Sequence, residues 1–173
     1  MPATPEAKEV EAQLLKIGVA GEADPQFPYG LIRKYFINGV ANLLAIVGDC
    51  NCNGLLDNHM ERMESLYQEF MVVLKKPHAD AFAMLPDDFH DVVFKGLASY
   101  GEHYPSTKMD FDAGLQLEID SLNGYVCALA RDQGIPSPAN DALVEEVKGL
   151  VAKRDAERKN KEKKKKKNFC SIQ

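Results

Sequence analysis

The chain has 173 residues, of which 45% are hydrophobic, with four cysteines and a net charge of −5. This length suits one domain with appendages, the cysteine spacing excludes a disulfide-rich secreted module, and no apolar run approaches the roughly 20 residues of a membrane-spanning helix. Ten lysines and arginines against three acids give residues 153–167 a charge of +7 and leave −12 on residues 1–152, and so acidic a body excludes nucleic acid as the main partner.

Hydrophobic residues recur at helical spacing along most of the chain. Residues that end helices divide this pattern, among them Gly18, Pro77 and Gly134. We predict helices over residues 6–17, 31–47, 58–76, 86–100, 110–133 and from 138 into the charged tail, with a loop over residues 20–29.

No convincing strand-length stretch alternates polar and apolar residues, which predicts an all-α fold, a helical bundle. The loop and the charge shift set the expected domain limits. Residues 1–30 form an N-terminal helix and linker, residues 31–152 the helical domain, and residues 153–173 a polybasic tail.

The helix over residues 31–47 is apolar on most sides, which is typical of a buried helix. Its polar exceptions include Lys34, Asn38 and Asn42, four residues apart and therefore within about 80° of one another on one face. Such a stripe meets water, a partner or a polar cavity. A solvated stripe is one interpretation; a wall that binds a small anionic ligand rich in oxygen is the other.

The loop after this helix contains a partial calcium-binding motif, Asp49-Cys50-Asn51-Cys52-Asn53-Gly54. The twelfth position of a calcium loop needs a bidentate glutamate and here holds Met60. The Cys50–Cys52 pair has no second pair at zinc spacing. We therefore interpret the loop as a turn and expect no metal site.

A second polar cluster follows, with Ser106-Thr107-Lys108-Met109-Asp110 and then Glu118-Ile119-Asp120-Ser121-Leu122-Asn123-Gly124. Taken alone, Ser106 suits a helix cap and Glu118 a salt bridge. Together with the Lys-x-x-x-Asn-x-x-x-Asn helix and Gly134-Ile135-Pro136-Ser137-Pro138-Ala139-Asn140, these segments resemble the C-terminal domain of ketopantoate reductases over residues 10–150. That domain belongs to the all-α class of the 6-phosphogluconate dehydrogenase C-terminal domain.

The resemblance implies a substrate cleft. Ketopantoate reductases reduce a 2-keto acid to its 2-hydroxy acid with NADPH held by a Rossmann domain. By likeness, Lys34 would be the general acid, Asn38 and Asn42 would bind substrate oxygens, Ser106 the carboxylate, and Glu118 the hydroxyl and Lys34. The sequence has no G-x-G-x-x-G turn for a dinucleotide, so we expect no cofactor in this chain and NADPH only with a Rossmann partner.

The tail carries five consecutive lysines, Lys163, Lys164, Lys165, Lys166 and Lys167, followed by Asn168-Phe169-Cys170-Ser171-Ile172-Gln173. Cys170, with the aliphatic Ile172 and a final Gln173, fits the C-a-a-X prenylation signal, and glutamine favours farnesyl. One such lipid binds membranes weakly, and a neighbouring polybasic run supplies the second signal. A disordered solubilising tail is the alternative.

These observations predict a protein on the cytoplasmic face of the plasma membrane, anchored by a lipid on Cys170. The favoured hypothesis is a non-catalytic module that binds a small 2-keto or 2-hydroxy carboxylate or a protein partner in its cleft. The alternatives are a substrate-domain subunit of a reductase whose cofactor domain lies on another chain, and a scaffold in which the cleft residues are relics.

Overall fold

The structure, a computed structural model, describes residues 4–18, 20–22 and 24–170, and the side chains of all of these except residue 162 and residues 164–170. Over these residues the fold is all-α and contains no β-strand, which confirms the predicted fold class. The helices are α1 Pro5–Lys16, α2 Phe27–Gly48, α3 Cys52–Asn58, α4 Met60–Lys75, α5 Ala79–Phe82, α6 Phe89–Ala98, α7 Ser106–Ala113, α8 Asn123–Gln133 and α9 Pro138–Cys170, with a 3₁₀ turn at Ile119–Ser121.

Helix α2 is the centre of the bundle and packs against α4, α6, α7 and α9. Pro28 in its first turn suits a helix start, because its missing N–H is not needed there. The helix is longer than predicted and ends where Asp49 adopts a left-handed backbone, with φ of 47°. By length and composition α2 could cross a membrane, which corrects the expectation that no run is long enough, but most of it is buried inside the domain.

An aromatic cluster fills the core around Phe36, which is fully buried. Its ring lies 5.4 Å from Tyr67, 5.5 Å from Phe70 and 5.1 Å from Phe89, each edge to face. Gly39 lets Phe70 approach α2, since a Cβ on Gly39 would lie 2.0 Å from the Phe70 ring. The close packing of α2 and α4 therefore depends on the absence of one side chain.

The single helix predicted over residues 110–133 is wrong. Helix α7 ends at Ala113, and Gly114 forms its C-cap with a left-handed φ of 71°. The amide of Leu115 donates back to the carbonyl of Asp110 at 2.8 Å. The apolar residues that follow form a loop and the 3₁₀ turn, and α8 begins only at Asn123. Apolar spacing there reflects packing of a non-helical segment.

Helix α9 begins at Pro138, as predicted, and continues into the lysine-rich tail. The Glu69 carboxylate of α4 caps its first turn by accepting hydrogen bonds from the amides of Ala139 at 2.7 Å and Asn140 at 2.9 Å. A carboxylate there also suits the positive end of the helix dipole. The N-terminal end of α9 is therefore fixed to α4.

Candidate functional site

A polar cavity of about 390 Å³ opens beside α2. Its walls come from α2, the start of α3, the end of α6, the loop before α7, the first residue of α7, and the segment that precedes the 3₁₀ turn. All five predicted site residues lie around it: Lys34, Asn38, Asn42, Ser106 and Glu118.

The α2 face descends into the cavity from its mouth to its floor. Lys34 is exposed, Asn38 is half-buried and Asn42 is buried with 7% exposure. Their four-residue spacing sets them on one side of the helix, as the sequence pattern predicted. The polar stripe therefore faces a cavity, with a cation at its mouth.

Asn42 makes its contact with the second residue of α7. Its side-chain nitrogen donates a 3.1 Å hydrogen bond to the hydroxyl of Thr107, which is also buried. Ser106 precedes Thr107, is exposed, and lines the cavity at the N-terminal end of α7. Because free backbone N–H groups gather at a helix N-terminus, this end favours negative charge in a ligand.

Glu118 faces the same cavity and is exposed, but among the described residues no ion pair joins it to Lys34. Its backbone is anchored to α2 through Leu122. The amide of Leu122 donates to the Glu118 carbonyl at 3.2 Å, and the Leu122 carbonyl accepts from the Tyr35 hydroxyl at 2.8 Å. Burial raises the pKa of Tyr35, which keeps this hydroxyl protonated as a donor.

Lys108 forms ion pairs beside the cavity, where the C-terminal end of α2 meets α7. Its side chain is 5% exposed, and its ammonium lies 2.6 Å from the Asp112 carboxylate and 2.9 Å from that of Asp49. Burial opposes the charged form, but these two carboxylates outweigh it and raise the pKa of Lys108. The ion pair between Lys108 and Asp49 joins α7 to the C-terminal end of α2, so the cavity walls on both helices are held together.

Several cavity residues were not predicted as site residues. Cys52, Tyr100, His103 and Tyr104 line the cavity, and Thr107 supports it through its hydrogen bond with Asn42. The His103 carbonyl accepts a 3.0 Å hydrogen bond from the Cys52 amide, so the loop before α7 is joined to the start of α3. Because the two partners lie about 50 residues apart in sequence, no local sequence pattern predicts the contact.

The turn predicted at residues 49–54 covers only residues 49–51, because α3 begins at Cys52. The Asn51 side chain, one oxygen of the calcium-like motif, caps α3 by accepting from the Gly54 amide at 2.9 Å. In the part of the chain that the structure describes, no three acidic, histidine or cysteine side chains gather as metal ligands. Burial raises the pKa of both Cys50 and Cys52, which disfavours their thiolates.

The structure describes no side chain at the predicted lipidation site. Cys170 falls at the end of α9 without a described side chain, and Ser171, Ile172 and Gln173 lie outside the described residues. The lysines of residues 164–167 likewise have no described side chains. Attachment to a membrane stays a prediction.

Residues 28–151 match the family model for the ketopantoate reductase PanE/ApbA C terminal. The chain is 29% identical over 121 residues to 2-dehydropantoate 2-reductase of Aquifex aeolicus, covering 68% of this chain and 39% of that protein. It is 31% identical over 118 residues to the Shigella flexneri enzyme of the same name, covering 68% of this chain and 38% of that protein. The chain therefore spans about two fifths of the length of these curated relatives.

Solved structures show the same likeness. The PanE/ApbA family ketopantoate reductase of Ralstonia eutropha JMP134 superposes with a TM-score of 0.74 at 25% identity, covering 89% of this chain and 51% of that one. D-mandelate dehydrogenase, in a ternary structure with NADH and anilino(oxo)acetate, superposes with a TM-score of 0.69 at 24% identity, covering 87% and 62%. The latter shows the fold alone.

Proposed function

Because this chain belongs to the ketopantoate reductase family, matching its C-terminal domain, we propose that its cavity binds a small 2-keto or 2-hydroxy carboxylate. One observation carries the proposal: Lys34, Asn38, Asn42, Ser106 and Glu118 line a single cavity. Relatives named 2-dehydropantoate 2-reductase act on a compound of this class. Ketopantoate and pantoate are therefore the first ligands to test.

The chemistry of the walls suits such a ligand. The Lys34 ammonium and the N-terminal end of α7 both favour a carboxylate, while Asn38 and the second N–H of Asn42 offer donors to further oxygens. The exposed Glu118 suits a ligand hydroxyl, which can donate to it. A cavity of about 390 Å³ lies at the small end of ligand pockets, as expected for a ligand of a few carbons.

Binding is tested by calorimetric titration of the chain with ketopantoate and with pantoate. We expect saturable binding that Lys34→Ala weakens at least tenfold, because the cation at the cavity mouth is lost. Lys95→Ala is the matched control, since Lys95 is an exposed lysine paired with Asp91 outside the cavity; it should bind within twofold of wild type. No binding by wild type, or equal binding by Lys34→Ala, would contradict the proposal.

We propose further that these 173 residues bind their ligand without reducing it. Hydride transfer needs a nicotinamide, and the cofactor supplies that chemistry. The sequence has no Gly-rich phosphate turn of the kind that holds the pyrophosphate of a dinucleotide. The residues described therefore offer no recognised site for the NADPH pyrophosphate, and the role proposed for the cavity is binding. Oxidation of NADPH by this chain with ketopantoate, followed by nicotinamide absorbance, would contradict this.

The second candidate is a substrate-domain subunit completed by a nucleotide-binding domain on another chain. The retained polar set around the cavity favours it. In that assembly Lys34 would protonate the ligand carbonyl oxygen and Glu118 would orient Lys34 and the hydroxyl. A rate that requires an added Rossmann-domain protein and disappears with Lys34→Ala would support this candidate over simple binding. The cleft could instead bind a protein partner and no small carboxylate. In that case neither ketopantoate nor pantoate would displace the partner.

We also propose that the lysine-rich end of α9 holds the protein on an anionic membrane, with a farnesyl group on Cys170. The support is the segregated charge of the sequence, since each lysine near an anionic leaflet contributes about 1 kcal/mol. In a eukaryotic cell, Cys170→Ser should move the protein to the soluble fraction. Replacing the five lysines of residues 163–167 by glutamine should weaken attachment to the membrane and make it more sensitive to salt. A Cys170→Ser variant that stays on membranes would refute the lipid.

A further inference from the structure

Two walls of the cavity do not belong to α2: one includes Ser106, and the other includes Glu118. Residues 111–118, the connecting segment, join them. The segment leaves α7, whose first residue is Ser106, and ends at Glu118. Phe111 and Leu117 pack against the hydrophobic core, and the amides of Gly114 and Leu115 bond back to Phe111 and Asp110 at 3.0 and 2.8 Å. Glu118 is held on its C-terminal side by the bonds of its carbonyl to the amides of Ser121 and Leu122, and on its N-terminal side by this connecting segment.

Two arginines of α9 donate hydrogen bonds to the connecting segment. The Arg154 guanidinium donates to the Phe111 carbonyl at 2.9 Å and lies 5.0 Å from the centre of the Phe111 ring. Arg158 donates to the Gly114 carbonyl at 2.7 Å. Both acceptors lie in the last turn of α7 or at its C-cap, where free carbonyls and the negative end of the helix dipole favour cations.

The geometry around Gly114 is fitted to Arg158. Gly114 has a left-handed φ of 71°, and a Cβ on it would lie 1.6 Å from the Arg158 guanidinium nitrogen. Arg154 is 15% exposed, and its other side bonds the Asp155 carboxylate at 2.9 Å. The two arginines are thus oriented towards the connecting segment by contacts that no lysine with a described side chain on the same helix makes.

We infer that Arg154 and Arg158 are positioning residues for the cavity, which fix Glu118 through the connecting segment. They touch no ligand themselves. The role in binding rests on the proposed function, whereas the ordering of the segment does not. The same helix continues into the lysine-rich run, whose proposed partner is an anionic membrane.

Amide hydrogen exchange of the full chain, followed by NMR without ligand, tests the ordering. The reporters are the amides of Gly114, Leu115 and Leu122, the last of which bonds the Glu118 carbonyl. We expect Arg154→Met with Arg158→Ala to speed their exchange at least tenfold, while amides in the middle of α4 stay unchanged and exclude global unfolding. Lys159→Ala, which also removes a positive charge from α9, should leave all of them unchanged. Arg158→Lys should keep the Gly114 amide close to wild type, since an ammonium can also donate to its carbonyl.

Unchanged exchange in the double variant, or an equal increase in Lys159→Ala, would overturn the inference. Titration with ketopantoate is the second readout: where wild type binds, the double variant should bind at least tenfold more weakly and Lys159→Ala within twofold. Equal binding by the double variant would overturn the positioning of Glu118. Failure of wild type to bind would reject the proposed function and leave the exchange result to decide the inference.

Discussion

Asn42 donates a 3.1 Å hydrogen bond to the hydroxyl of Thr107, and this bond joins α2 to α7 at the buried floor of the cavity. A side-chain amide has two N–H donors. One is spent on Thr107 and fixes the orientation of the amide, so the other and the carbonyl are held in place for a ligand. Asn42 therefore serves the fold and the cavity together.

Replacing Thr107 by valine keeps the shape of the side chain and removes the acceptor. The buried N–H of Asn42 is then unpaired, which should lower the free energy of unfolding by about 1–3 kcal/mol. Urea unfolding of Thr107→Val, Asn42→Ala and the double variant measures the coupling between them. We expect the double variant to lose at least about 0.5 kcal/mol less than the sum of the single losses; strict additivity would show that the bond does not matter.

Gly39 and Gly30 lie on the same helix and make a matched pair. A Cβ on Gly39 would lie 2.0 Å from Cε2 of Phe70, whereas nothing lies within 4 Å of a Cβ on Gly30. We expect Gly39→Ala to cost about 1–3 kcal/mol through overpacking, and Gly30→Ala to be neutral or to gain up to about 1 kcal/mol from helix propensity. Thermal unfolding of the two variants checks this, and equal shifts in Tm would contradict it.

The part of this architecture that could be predicted from sequence is the part set by local periodicity. The apolar pattern of α2 predicted a buried helix, and the four-residue spacing from Lys34 to Asn42 predicted a common face, because both depend on 3.6 residues per turn. The proximity of Ser106 and Glu118 to that face came from the family resemblance. Their arrangement around one cavity agrees with it, while their roles stay predictions.

What could not be predicted depends on contacts between distant residues. The break after α7 is stabilised by Arg158, which bonds Gly114 from 44 positions away. Helix α3 begins where the amides of Cys52 and Asn53 find the carbonyls of His103 and Gly101. A local sequence pattern contains no information about these distant partners. The sequence therefore predicted one helix over residues 110–133 and a turn over residues 49–54.

Asn123 ties three helices together from a fully buried position. Its side-chain nitrogen donates to the Gly39 carbonyl at 2.9 Å and to Oδ1 of Asn140 at 2.8 Å. Asn123→Ala should cost about 1–3 kcal/mol, and Asn123→Asp should cost more at neutral pH, because a carboxylate cannot donate and would be buried beside two acceptors.

Urea unfolding at pH 7 compares these variants with Asn58→Ala. Asn58 is exposed and bonds one carbonyl of its own helix, that of Gly54, so its loss should stay within about 0.5 kcal/mol. An Asn123→Asp variant as stable as Asn123→Ala would mean that the site is wetter than its burial indicates.

Glu64 makes the stability depend on pH in the acid range. Burial opposes its ionisation, but hydrogen bonds from Gln68 and His90 outweigh burial and lower the pKa of Glu64 below its ordinary value of 4.5. A carboxyl group with a lowered folded-state pKa stabilises the fold above the unfolded value, and this contribution is lost as the pH falls through the folded value. Since the side chain is 40% exposed, the effect should be small.

Glu64→Gln should therefore unfold at a lower temperature than wild type near pH 5, and the difference in Tm should narrow as the pH falls to about 3. Calorimetry of the variant and of wild type at several pH values measures this difference. A Glu64→Gln difference that widens between pH 5 and 3 would reverse the sign of the assigned shift and remove the His90 contact as its cause.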